Sequence, residues 1–135
     1  MANEAVIVDL GPNGGSPYQF TVADGATIEK GTLLKFTDPR TAAANSAIRD
    51  RFAGIAAAEK VASDGATTLA VYTEGIFDLN IVGGVVAGDT VILSGANTLR
   101  SGAGLTAASG EMFVGIALED AAVTAETILV KLRGY

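Results

Sequence analysis

The sequence predicts an all-β protein, a small β-barrel or two-layer sandwich, and three observations carry that prediction. Short β-branched runs are separated by glycine-rich turns, few stretches admit a helix, and one half of the chain repeats the other. Hydrophobic residues make up 49% of the 135 residues, aromatics only 6%, and Trp is absent, so the core is expected from Val, Ile, Leu and Ala with a few Phe anchors. Seventeen glycines cut this apolar content into pieces of strand length. The length allows a single domain, 1–135, with a core that needs neither disulfide nor metal.

The elements follow in order. Period-2 or continuous β-branched runs at 5–10, 18–22, 32–36, 67–72, 76–81, 90–93, 112–117 and 127–132 each read as a strand. Turn chemistry separates them. The string "GPNGG" at 11–15, Asp24-Gly25, Asp64-Gly65, Gly83-Gly84 and Gly88-Asp89 all favour positive φ or a tight reversal. The segment 42–51 fits one or two turns of helix, or equally an irregular loop, because Asn45, Ser46 and nearby Pro39 compete with the helical backbone.

Phe20, Ile28 and Gly31 recur as Phe77, Val85 and Gly88, each 57 positions on, and "GTLLKF" at 31–36 recurs as "GDTVIL" at 88–93. After a variable loop, "FAGIA" at 52–56 recurs as "FVGIA" at 113–117, 61 positions on. "TTLAVYTEG" at 67–75 then matches "ETILVKLRG" at 126–134, at a spacing of 59. The expected organisation is two pseudo-repeated four-strand units, about 18–75 and 76–134, behind an N-terminal strand or arm within 1–17. Units that cannot bury both faces alone would pair with each other. Gly54, Ile55, Gly115 and Ile116 are then expected in paired core strands, where Ile116→Asp would unfold the domain.

Composition narrows the function. The net charge is −6, and the one arginine cluster, Arg40, Arg49 and Arg51, is interleaved with Asp38 and Asp50, which argues against a direct nucleic-acid partner. No apolar run is long enough for a membrane-spanning helix, and the first eight residues lack the basic end of a secretory signal. With no Cys and no His, thiolate and imidazole metal sites and imidazole-based catalytic triads are excluded. Glu119 and Asp120 are an adjacent acidic pair with a solvated role as the default. Lys30 precedes Gly31 in "GATIEKGT", the wrong order for a phosphate-binding loop, and no dinucleotide fingerprint follows Gly102-Ala103-Gly104. None of Lys30, Lys35, Lys60 and Lys131 has the context of a lipoyl or biotinyl carrier. No cofactor, metal or catalytic residue is expected, and the chain is read as a non-enzyme.

The strings "ATIEKGTLLKFTDPR" (26–40), "FAGIAAAEK" (52–60), "TTLAVYTEGIFDL" (67–79), "VVAGDTVIL" (85–93) and "FVGIALEDA" (113–121) resemble the capsid decoration, or cement, proteins of tailed bacteriophages. The resemblance covers roughly 4–134. Members are often labelled RecA-like recombinases, a label that implies a phosphate-binding loop this chain lacks. The resemblance implies a small β-barrel protein, made in the host cytoplasm, that binds the outer surface of the virion head and stabilises it. Its implied partners are the major capsid protein and further copies of itself, a homotrimer being favoured. The candidate capsid-facing residues are Ala2, Asn3, Glu4, Ala5, Val6, Ile7 and Val8 with Arg40, Arg49 and Arg51. A capsid strand would pair with the N-terminal run, or that run would complete this protein's own sheet. The arginines would meet carboxylates of a neighbouring subunit, or stay solvated with Asp38 and Asp50. The alternative is a carbohydrate-binding or adhesive β-domain displayed on a particle or cell surface. Against it, sugar sites stack a ring on an exposed aromatic, and the chain offers only Tyr18, Tyr72 and Tyr135 beyond its Phe residues.

Overall fold

The computed structural model describes residues 5–10, 17–46, 51–95, 97–102, 113–122 and 127–132. Among them the chain is all-β: β1 (Val6–Asp9), β2 (Tyr18–Thr21), β3 (Leu33–Asp38), β4 (Thr41–Ala44), β5 (Phe52–Ala56), β6 (Thr68–Tyr72), β7 (Ile76–Asn80), β8 (Thr90–Gly95), β9 (Thr98–Ser101), β10 (Phe113–Ala117) and β11 (Thr127–Leu132). Strands β2 to β6 form a closed barrel in the order β2-β4-β3-β5-β6. The remaining strands form a six-stranded sheet, β1-β7-β11-β10-β8-β9.

Without β1 that sheet has the same neighbour order as the barrel. Its ends also come together in the same way. A single parallel pairing, Thr21 with Thr41, closes the barrel, and a single parallel bridge, Ile81 with Leu99, draws β7 and β9 together. Thr21 N donates to the Arg40 carbonyl at 2.8 Å, and Val82 N to that of Leu99 at 2.9 Å. Only the first is closed by strand pairing, but for this likeness the sheet is termed the second barrel.

The correspondence extends to irregular features. The β3–β4 register slips between Phe36 and Asp38, and the β8–β9 register between Leu93 and Gly95. Arg40 and Asn97 hold positive φ, 49° and 53°, at the same point of the two hairpins. Bulges also match between β3 and β5 and between β8 and β10, with Ala53 and Val114 as the extra residues. A bulge adds local twist, which a barrel this small needs to curl shut. Next to each bulge a glycine allows the adjacent strand to come close. A Cβ on Gly54 would run into the Val71 side chain and the Tyr72 carbonyl, and one on Gly115 into the Lys131 carbonyl.

Two apolar cores result. The first holds Phe20, Val22, Ile28, Leu34, Ala42, Ala53, Ala56, Leu69 and Val71. Each has its counterpart in the second core, in the same order: Phe77, Leu79, Val85, Val91, Leu99, Val114, Ala117, Ile128 and Val130. The second core is larger because it also holds Ile81, Leu93 and Leu132 of its own unit and Leu33, Phe52 and Ile55 from β3 and β5 of the first barrel. A polar clasp joins the barrels at the same place. Leu33 N donates to Asn97 Oδ1 at 2.9 Å, Asn97 N to Asn45 Oδ1 at 3.1 Å, and Asn45 Nδ2 to the Gly95 carbonyl. Both asparagines are buried, so the clasp is shielded from water and its hydrogen bonds fix the register of one barrel on the other.

Three expectations need correction. Each barrel has five strands rather than four, because the variable loop contains a strand, β4 or β9. The stretch 42–51 does not open as a helix: Thr41–Ala44 is β4, and 47–50 lie outside the described residues. Short Ala and Thr side chains satisfy a strand as well as a helix, and pairing with β3 decides between them. Ile116 is in a paired strand, but its side chain is 40% exposed, whereas Ile55 is 1% exposed. Among the described residues no barrel lies over the second barrel's counterpart of the face that packs between the barrels.

Candidate interaction site

β1 is the outermost strand of its sheet. It pairs antiparallel with β7, Val6 opposite Asp78 and Ile7 opposite Phe77, so the N-terminal run does complete this protein's own sheet along one edge. Ala5 N donates to the Gly31 carbonyl at 2.9 Å, which ties the start of β1 to the first barrel. A crevice of about 20 Å³, room for roughly one water, lies beneath it between Ala5, Ile7, Gly31, Ile55, Tyr72 and Phe77. A strand covering a core normally alternates apolar and polar residues. β1 does not: Val6, Ile7 and Val8 are 59%, 40% and 51% exposed. Val6 and Ile7 point to opposite faces and Val8 sits where the β1–β7 register slips, so both faces of this edge strand present apolar surface to water.

The arginines lie elsewhere. Arg40 sits in the β3–β4 turn, exposed, its Nε donating to the Gln19 carbonyl at 2.9 Å. Arg51 is exposed just before β5, and its carbonyl accepts from Phe36 N at 2.9 Å. Among the described residues no strand pairing or hydrogen bond joins β1 to either arginine. Ala2, Asn3, Glu4 and Arg49 lie outside the described residues, as does Tyr135. Tyr18 is exposed, while Tyr72 is half-buried against Phe77 with ring centroids 5.8 Å apart.

The carboxylates that sequence reading weighed for chemistry are engaged with backbone. Glu119 accepts from Leu129 N at 3.1 Å and Asp120 from Ala87 N at 2.8 Å, so each fixes a different strand or turn. Among the described residues no group of three or more His, Cys, Asp or Glu could hold a metal ion. Lys30 is exposed in its turn.

Sequence reading missed Lys60. It is only 2% exposed, and its Nζ donates to the Asp24 carbonyl at 2.8 Å, Val61 carbonyl at 2.8 Å, Asp64 Oδ1 at 2.7 Å and Asp24 Oδ1 at 3.3 Å. The same carboxylates cap the turns around it: Gly65 N donates to Asp24 Oδ1 and Ala66 N to Asp64 Oδ1. Burial alone would push the ammonium's pKa down, but hydrogen bonds to Asp64 and Asp24 outweigh it and hold the pKa above its ordinary 10.5. The hydrogen bond from Lys60 in turn holds Asp64 at about 2, below its ordinary 3.8. The signal in the sequence was two Asp-Gly turns with a lysine four residues before the second, but nothing in the sequence shows that the turns meet. This is a staple of the first barrel, with every ammonium hydrogen taken, and offers a ligand nothing.

Geometry thus defines a β-protein of two repeated units, the first a closed barrel, with a run of exposed apolar residues on an edge strand, an arrangement suited to holding other chains. The chain belongs to the phage cement protein family, whose sequence profile matches residues 13–132. Membership implies association with the phage capsid. No curated protein matches the chain.

Proposed function

We propose that this protein is a non-enzymatic decoration protein that binds the outer surface of a phage head as a homotrimer and stabilises it. The observation that carries this reading is β1, an outermost strand with apolar side chains exposed on both faces. Burying the exposed part of such side chains is worth up to about 1.5 kcal/mol each, and a strand at a sheet edge accepts a strand of the capsid protein by β-augmentation. Residues 2–8 with Arg40, Arg49 and Arg51 form the capsid-facing set, the guanidinium groups meeting capsid carboxylates. A ligand that recognises only the assembled lattice adds stability to it by mass action. We further propose that 18–75 and 76–134 are copies of one unit within a single domain.

The test is binding to purified heads. Deletion of 2–8, the milder pair Val6→Thr with Val8→Thr, and the triple change of Arg40, Arg49 and Arg51 to Ser are each compared with the parent, with melting temperature measured on the free protein. Folded variants are expected to bind heads at least about tenfold more weakly, equivalent to about 1.4 kcal/mol. Unchanged binding by all the folded variants rules out this surface.

A further inference from the structure

The two barrels of one chain meet through a face of the first and a turn of the second. The face is built on Leu33, Asn45 and Ile55, and the turn is the β8–β9 hairpin with Leu93, Gly95 and Asn97. Because the barrels repeat each other, each partner has a counterpart, and among the described residues no second barrel lies over it: Ile116 and Phe36 are exposed and Thr90 half-buried, with Gly102 buried at the edge. Thr90, Gly102 and Ile116 stand where Leu33, Asn45 and Ile55 stand. The backbone there is built alike: Asn45 N donates to the Leu33 carbonyl at 3.0 Å, and Gly102 N to that of Thr90 at 2.8 Å. On the other side, Phe36, Asp38 and Arg40 of the β3–β4 hairpin stand where Leu93, Gly95 and Asn97 stand.

Burial shows which contacts are missing. Ile55 and Leu93 are 1% and 0% exposed, while their counterparts Ile116 and Phe36 are 40% and 41% exposed. Leu118, at the end of β10, adds to the uncovered apolar surface. Each uncovered half-site is therefore the counterpart of one half of a contact this sequence already makes.

We propose that the β8–β10 face of one copy, around Thr90 and Ile116, receives the β3–β4 hairpin of a second copy, Phe36 to Arg40, repeating between chains the contact that joins the two barrels within a chain. Such a contact is heterologous, head to tail, and generates a ring when its rotation closes. Its chemistry differs from the internal contact in one respect. Gly102 and Arg40 replace the asparagine clasp, so apolar packing of Phe36 and Ile116 carries the contact. Arg40, held on the Gln19 carbonyl, enters the contact beside Thr90 in place of Asn97, which leaves Arg49 and Arg51 of the capsid-facing set to the head. Glu119 and Asp120, exposed just after Leu118, carry charge opposite to that of Arg40.

The chain has no cysteine, so disulfide trapping is free of background. Arg40→Cys and Thr90→Cys are made as separate proteins, mixed and oxidised. In the internal contact the counterparts of these positions share a 2.9 Å hydrogen bond, compatible with the reach of a disulfide. A mixed-disulfide dimer is expected from Arg40→Cys with Thr90→Cys, and not from Val61→Cys with Thr90→Cys. In parallel, Ile116→Ser and Phe36→Ser, checked for an intact fold by circular dichroism, should each weaken self-association by about tenfold or more in sedimentation. A free protein that is monomeric at every concentration, absence of the mixed disulfide, or unchanged association of both folded Ser variants overturns the proposal. The proposal rests on the free protein and not on the capsid reading, so the two fail separately. If the free protein stays monomeric and Ile116→Ser instead weakens head binding, the face belongs to the capsid protein and the self-contact is wrong.

Discussion

The first barrel, β2 to β6, and the second, β7 to β11, share an interior position for position but use their outer faces in opposite ways. In the first, β5 is buried at every residue, because one face lines its own core and the other packs into the second core. In the second, β10 has the same bulge and glycine, yet Ile116 points to water. The interior positions are fixed by what a five-stranded barrel can hold, so Ile28 and Val85 or Leu34 and Val91 change by little more than a methylene. Outer positions carry no such constraint. Where two repeats agree in sequence and disagree in burial, the difference marks what the repeat does for its neighbours and not what it needs to fold.

The largest effect should come from positions where the barrels are alike. Gly54→Val and Gly115→Val each place a side chain into the adjacent strand, and each is expected to cost about 3 kcal/mol or more, measured as a shift in urea midpoint or as loss of soluble protein. Tolerance of one but not the other would show that the close approach of β5 to β6 and of β10 to β11 is not a shared requirement.

A smaller effect separates the barrels. Ile55→Ala removes a side chain from the shared core and should lose about 2–4 kcal/mol. Ile116→Ala, at the same place in the repeat, should stay within about 1 kcal/mol in the monomer, and Ile116→Asp should still fold. Equal losses at the two positions, read from urea unfolding of the free protein, would contradict the asymmetry of the faces.

The repeat explains how much of this was legible. Strings such as "FAGIA" and "FVGIA" revealed the unit, the strand runs and the glycines, because turn and core chemistry are local. The strands β4 and β9 were hidden since Thr41–Ala44 and Thr98–Ser101 have little apolar pattern of their own, and their pairing partners define them. Ile116 was misread because a repeat transmits strand identity but not which face another element covers. Of the candidate site, β1 was legible as an apolar run outside both repeats. Its pairing with β7 was not, since register across seventy residues of intervening chain leaves no local mark. Lys60 was invisible for the same reason: its partners Asp24 and Asp64 come from turns far apart in sequence.

The last difference between the barrels is that lysine. The antiparallel bridge of Ile28 with Lys60 in the first corresponds to that of Val85 with Ala121 in the second, so the backbone tie needs no ammonium. What Lys60 adds is a charge that holds Asp24 and Asp64 in place. Asp64 has its pKa lowered to about 2 from an ordinary 3.8, so it stabilises the fold fully above that ordinary value and loses the contribution as pH falls from 3.8 toward 2. Lys60 has its pKa raised above 10.5, so its contribution is complete below 10.5 and fades only as the pH rises past it. Stability from this pair is therefore flat across neutral pH and declines on the acid side. Lys60→Met keeps the buried stem and removes the charge, so the acid decline in melting temperature should shrink relative to the parent, with a loss at neutral pH below that of Ile55→Ala, because the two carboxylates are partly exposed and regain water. Hydrogen exchange places the effect: the Gly65 and Ala66 amides, which donate to Asp24 and Asp64, should exchange faster in the variant, while Val85 and Ala121 of the second barrel keep their rates. An unchanged acid slope, or faster exchange in both barrels alike, would mean that Lys60 is not a staple private to the first.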